Sequence, residues 1–216
     1  MTRLLFTLSI LILVNACSSG VNNKSTTDNP VDTTMSFKVD NYWLTPKKSF
    51  DFISLGKSSD DTLHLVTCCN YVYFPFGKLT DKSSIKTSLL KDFKITSFNR
   101  DTFTNTNMTP PFFEWSESVS LTLVDSELNL FLDNDPEASM HGYIRGGKIV
   151  DSKVIFSKNI RVGMRIEDFY KKFFDHFPTE LYKKYKVVEF ESCVADVTHV
   201  YTFEKGILRS VKFISQ

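Results

Sequence analysis

A chain of 216 residues has room for one large domain or two small ones. Its 26 Lys and Arg balance 25 Asp and Glu, so the charge makes no case for nucleic acid or anionic lipid headgroups as partners. Phe occurs 20 times, well above average usage, which predicts a core built from rings rather than from Ala and Leu.

Residues 1–16 open with a short positive stretch, its charge on Arg3, followed by an apolar run over 4–14 that is too short to cross a bilayer comfortably. Val14-Asn15-Ala16-Cys17 comes next. This arrangement resembles the lipobox of bacterial lipoprotein signal peptides. The resemblance implies that the Cys17 thiol receives a diacylglyceryl group, that the signal peptide is cut after Ala16, and that Cys17 becomes the lipidated first residue. Acyl chains at about 0.8 kcal/mol per buried CH₂ then hold the protein to a membrane. Residues 17–36, rich in Ser, Thr, Asn and Asp, read as a flexible tether. As a random coil of about 20 residues it reaches roughly 25 Å. In the lipoproteins it resembles, a Ser after the cysteine, here Ser18, implies sorting to the outer membrane, and no acidic cluster follows to mark surface export. The expected location is the outer membrane, lipid-anchored on its periplasmic face.

Folded structure is expected from Phe37, as a unit over 37–140 and a unit over 141–216 that are together compatible with one continuous domain. Residues 63–74 (LHLVTCCNYVYF) have the content and length of a strand, broken by Pro75-Phe76-Gly77. Over 83–93, Ile85, Leu89, Leu90 and Phe93 share one helical face, and 94–99 reads as a strand. Residues 103–117 lack a strand period. Pro110 and Pro111 stiffen this loop, and Phe112, Phe113 and Trp115 follow. The favoured reading has these rings pin the loop to the core, and the alternative is a partner-binding hot spot. Val119, Leu121 and Leu123 alternate with polar residues, and Leu128, Leu130 and Leu132 do so after Asp125-Ser126, which predicts a hairpin. Residues 141–145 and 148–156 flank Gly146-Gly147, a second predicted hairpin with a turn that tolerates positive φ.

The best-patterned stretch is 159–178 (NIRVGMRIEDFYKKFFDHFP). At about 100° per residue, Ile166, Phe169, Tyr170, Phe173, Phe174 and Phe177 share one arc, which predicts a helix laid on a sheet and stopped by Pro178. Glu167–Lys171 and Asp168–Lys172 are acid-before-base pairs at i,i+4 on the opposite arc. Strands are predicted over 186–192, 198–203 and 207–214, the last two joined by Glu204-Lys205-Gly206. The expected class is α+β: an antiparallel twisted sheet packed against one or two helices. Two tandem strand-helix-strand-hairpin units are a further reading, since Ile85, Leu89 and Phe93 match Ile166, Tyr170 and Phe174 in apolar character at a constant offset.

Ile160-Arg161-Val162-Gly163-Met164 ahead of that helix, with Tyr201-Thr202-Phe203-Glu204-Lys205-Gly206-Ile207-Leu208 near the close, resemble the SmpA/OmlA (BamE-like) lipoprotein domain. The β-lactamase-inhibitor-protein fold shares that layout. The resemblance covers residues 159–214 and implies a lipid-tethered accessory or scaffold without catalysis. Arg165 stands where the family commonly places a helix-capping Ser or Thr.

With Cys17 lipidated, Cys68, Cys69 and Cys193 remain, an odd number for an oxidising compartment. Neighbours in a strand face opposite ways, so Cys193 can pair with only one of Cys68 and Cys69. Buried free thiols are the favoured reading and such a disulfide the alternative. His64, His141, His176 and His199 show no metal spacing. Residues 133–137 begin like a calcium loop, but Ala138 holds the glycine position and Ile144 the closing glutamate position. The sequence carries no G-x-S-x-G, P-loop or G-x-G-x-x-G. No catalytic residue, metal or cofactor is assigned. The functional expectation is a non-catalytic binding or scaffold module with a protein or cell-envelope partner. Its rivals are a protein inhibitor of an envelope enzyme and an envelope hydrolase whose site assembles only in the fold.

Overall fold

The computed structural model describes residues 36–215 apart from 80–81, 89–90, 107–108 and 139. Among them β1 (Phe37–Val39) and β2 (Tyr42–Pro46) form a hairpin, and a 3-10 turn leads to β3 (Phe52–Leu55) and β4 (Thr62–Thr67). Helices α1 (Asn70–Tyr73) and α2 (Lys82–Ser88) precede a meander of β5 (Lys94–Asn105), β6 (Phe112–Leu123), β7 (Ser126–Asp133) and β8 (Gly142–Ile149). Next come α3 (Ile166–Tyr170), β9 (Phe174–His176) and α4 (Thr179–Lys184). The chain closes with β10 (Val187–Ser192), β11 (Val197–Glu204) and β12 (Ile207–Ser215).

Nine strands join one sheet in the order β3-β4-β10-β11-β12-β8-β7-β6-β5, and β1-β2-β9 make a smaller one. All neighbours in the large sheet are antiparallel except β4 and β10. With 51% strand and 15% helix the fold is mostly β, which corrects the expected α+β class with one or two helices packed on a sheet. The two tandem units are replaced by interleaving, because β10, β11 and β12 insert between β4 and β8, strands that precede them in sequence.

The main reason for the difference lies in residues 166–177. All six apolar positions of the predicted arc are buried, yet only the first three are helical. Beyond Tyr170 the backbone is captured by β2. The Lys47 N–H donates to the Phe173 carbonyl at 2.7 Å, and β9 pairs with β2 at Thr45 and Pro46. The change from a turn at Phe173 to a strand at Phe174 sends the two adjacent rings to different neighbours: Phe173 meets Tyr71 and Phe190, Phe174 meets Phe37 and Phe177, and both touch Phe50. Ring burial at about 1.5–3 kcal/mol per residue outweighs helix preferences of a few tenths. The expected i,i+4 ion pairs give way with the helix, and Glu167 takes Arg165 at 3.2 Å while Asp168 takes Lys171 at 3.8 Å. Arg165 supplies no side-chain cap. The Ile166 N–H donates instead to the Gly206 carbonyl at 2.8 Å.

That contact belongs to a short ladder joining the two segments of the resemblance. The Gly163 N–H donates to Leu208 and the Leu208 N–H to Met164, both at 2.8 Å. Gly146-Gly147, expected as a turn, lies inside β8 between β7 and β12. A Cβ on Gly147 would clash with the Glu127 backbone, so glycine there serves the close approach of two strands at a bulge. The strand expected over 63–74 ends at Thr67, and α1 takes up its last residues. Among the described residues no helix is long and apolar enough to cross a membrane.

Because β12 is bonded to β11 on one side and β8 on the other, a chain ending at Lys205 strips both of a partner. Such a chain is expected to show no cooperative thermal transition by circular dichroism. A soluble product that melts cooperatively would contradict this placement of β12.

Candidate functional site

Two surfaces stand out, one at a sheet edge and one on the outer face of the sheet. β5 ends the large sheet, and every one of its 12 residues but Asn105 is exposed. Its inner edge pairs with β6 from Lys94↔Thr122 to Asn105↔Phe112. Among the described residues no strand lies on its outer edge. Ile95 and Phe103 on β5 and Phe113 on β6 add exposed apolar area, Phe113 being 56% exposed.

Phe112, Phe113 and Trp115 therefore lie on a strand, which corrects the predicted loop. Phe112 is half-buried. Trp115 is partly buried against the core, its backbone N–H donating to Asn134 Oδ1 at 2.6 Å and its ring 5.0 Å from the Arg100 guanidinium. The strand period was masked because two carboxylates occupy buried positions in it. Glu114 accepts from Asn105 Nδ2 at 2.6 Å, and Glu117 lies 3.4 Å from Arg100.

The second surface follows from the parallel pairing of β4 and β10, which sets His64 opposite Glu189. Strand alternation sends Leu63, Leu65, Val188 and Phe190 into the core and puts His64, Glu189 and Glu191 on the other face. His64 Nδ1 is 3.6 Å from Glu189 Oε2, and Nε2 is 2.5 Å from Glu191 Oε2 without the alignment of a hydrogen bond. Gly56 backs the imidazole so closely that a Cβ would fall 2.5 Å from its Cγ. These residues line a cleft of about 520 Å³ together with Asp196, Thr198 and the 193–195 turn. Its chemistry is an imidazole beside carboxylates, suited to moving a proton. The Ser192 hydroxyl at its margin donates to Tyr73 Oη at 3.1 Å and accepts from the N–H groups of Val194 and Ala195. Among the described residues no group of His, Cys, Asp and Glu has a metal-holding arrangement. Sequence reading missed this cleft because nothing local announces which two strands will pair in parallel.

Cys68 and Cys193 form a disulfide, and Cys69 is free and buried. The favoured reading of three free thiols is thus replaced by the alternative pairing, with Cys68 as the partner. The strand ends before Cys68, and the Cys193 N–H donates to the Thr67 carbonyl at 3.0 Å, which brings the ends of β4 and β10 together. A crosslink spanning 125 residues is worth about 4–5 kcal/mol in the chain-entropy account. Burial pushes the Cys69 thiol up, away from the reactive thiolate. Cys17 lies outside the described residues. His141 sits 3.2 Å from Asp133 in the polar turn once compared with a calcium loop, and His176 is exposed on β9.

His199 faces the core, its Nδ1 3.2 Å from Tyr201 Oη and its ring edge-on to Phe213. Neither family models, nor curated proteins, nor solved structures give a match to this chain.

Burial lowers the His199 pKa from 6.5 to about 3. The unfolded chain therefore takes up a proton below pH 6.5 that the folded protein refuses, and stability falls with pH from 6.5 towards 3. Between pH 7 and pH 5 the loss is about 2 kcal/mol. Urea unfolding at the two pH values should show this slope in the native protein and a slope smaller by that amount in His199→Phe. Equal slopes would show that His199 is not buried in neutral form.

Proposed function

We propose that the protein is a non-catalytic binding or scaffold module of the bacterial cell envelope. It is held through lipidated Cys17 on the periplasmic face of the outer membrane and takes an extended segment of a protein partner onto β5. The observation that carries the reading is the 12-residue edge strand exposed along its length. Natural sheets usually blunt such an edge by shortening it, covering it or placing proline in it, since its outward N–H and C=O groups template another strand. β5 has no proline, and its charged residues are Lys94, Arg100 and Asp101. Backbone hydrogen bonds would give the partner affinity, while Ile95, Phe103 and Phe113 would give side-chain selectivity. An inhibitor of an envelope enzyme would use the same edge.

The His64–Glu189–Glu191 cleft favours a second reading, an envelope hydrolase. It offers an acid–base group, but the Ser192 hydroxyl at its margin is committed to three hydrogen bonds.

A photo-crosslinker at Thr102 in intact cells is expected to trap one defined envelope protein. Adding Ile95→Lys and Phe103→Lys should lower the capture about tenfold, equivalent to about 1.4 kcal/mol of binding, with the melting temperature little changed. Undiminished capture in that variant, or trapping that requires Glu191 rather than β5, would turn the reading towards the cleft.

A further inference from the structure

A third exposed surface lies where the chain enters the fold. β1 and β2 pair with Phe37 opposite Leu44 and Lys38 opposite Trp43. Alternation turns Val39 and Leu44 inward and leaves Lys38 and Trp43 outward. Trp43 is 57% exposed, with Lys38 Nζ 5.8 Å from its ring. Tyr42, opposite Val39 and so on the other parity, is exposed only because it ends the hairpin at the Asp40-Asn41 turn. Ser36, the first residue described, shares a hydroxyl hydrogen bond of 2.9 Å with Thr45. By the same alternation Ser36 and Thr45 stand with Lys38 and Trp43. Ser36 thus shows its side chain on the face that carries the indole. His176, opposite Thr45, extends that face.

Indole and phenol rings partition to the headgroup level of a bilayer, where the ring meets hydrocarbon and the N–H or O–H stays hydrated. A lysine beside them can lay its stem along the same surface and keep its ammonium in water. We propose that the face formed by Lys38 and Trp43 rests in the headgroup region of the bilayer that holds the protein. The proposal depends on the lipidated Cys17 of the preceding section. A random coil of about 20 residues, the length of the segment 17–36, would reach roughly 25 Å. An anchor at that distance holds this face at an effective concentration in the millimolar range. A contact too weak to recruit a free protein then suffices to orient a tethered one. The interaction draws on ring partitioning rather than on Coulomb attraction, so the balanced charge of the chain does not oppose it.

The chain contains two tryptophans, Trp43 and Trp115. The test uses the full-length protein matured in cells fed labelled fatty acid, with Cys17→Ala as the control for label at Cys17. The lipidated protein is then reconstituted into vesicles of phosphatidylcholine and phosphatidylglycerol carrying brominated acyl chains. The expected result is label dependent on Cys17, together with bromine quenching of tryptophan emission in the native protein that disappears in Trp43→Phe. Label present with equal emission loss in native protein and Trp43→Phe would overturn the proposal and leave the anchor standing. Shielding of Trp43 from aqueous acrylamide without bromine quenching would overturn it in favour of a protein occupant. Label that persists in Cys17→Ala would remove the anchor and this proposal with it.

Discussion

Phe169 has its ring centre 4.7 Å from that of Tyr201, 5.3 Å from Phe203 and 5.8 Å from Phe190. This one side chain, carried by a five-residue helix, rests on both β10 and β11. Around it, Phe173 joins the same cluster, and Phe50 links the cluster to the chain leading into β3. A fold with such short helices cannot rely on helix cooperativity, because a helix of five residues has no stability of its own in water. Ring packing substitutes for it. Truncating a buried Phe costs about 3–5 kcal/mol, a large share of the net stability of any domain.

The same rings explain what could be read in the sequence and what could not. Every apolar position assigned to the 166–177 arc is buried, because hydrophobic spacing reports on burial whatever backbone carries it. It failed as a guide to helix length because β2 took up the backbone at Phe174, while the rings stayed buried beside Phe50. The hairpins β6–β7 and β11–β12 were legible, since residues 119–122, 128–132 and 197–203 alternate between buried and more exposed positions and Gly206 marks the second turn. Gly146-Gly147 misled because two glycines signal both a turn and a close approach of strands. The cleft was invisible for a different reason. His64 and Glu189 are 125 residues apart in sequence, as are the bridged cysteines, and only the parallel pairing of β4 with β10 joins either pair.

The large sheet has two unequal ends. β3 is a four-residue strand with a register irregularity against β4, two devices that discourage a further strand. β5 is three times as long and is not covered by a further strand among the described residues. The asymmetry is one of length, since both end strands carry a register irregularity against their neighbour, and the cleft lies near the short end, on β4 and β10. The small β1-β2-β9 sheet packs at the short end, where Phe37 of β1 stacks on Phe52 of β3 with ring centres 3.8 Å apart.

The central position of β12 also orders events in time. The meander of β5 to β8 is synthesised, and under the proposed export would be translocated, well before residues 207–215 arrive. Until then β8 keeps an open edge that no earlier strand can fill, and β4 waits for β10. Under that export, a chain threaded through a pore would close its sheet only when its latest strands emerged. It would stay in an extended, aggregation-exposed state for most of its passage, and its folding yield would depend on whatever shields those edges in the interval.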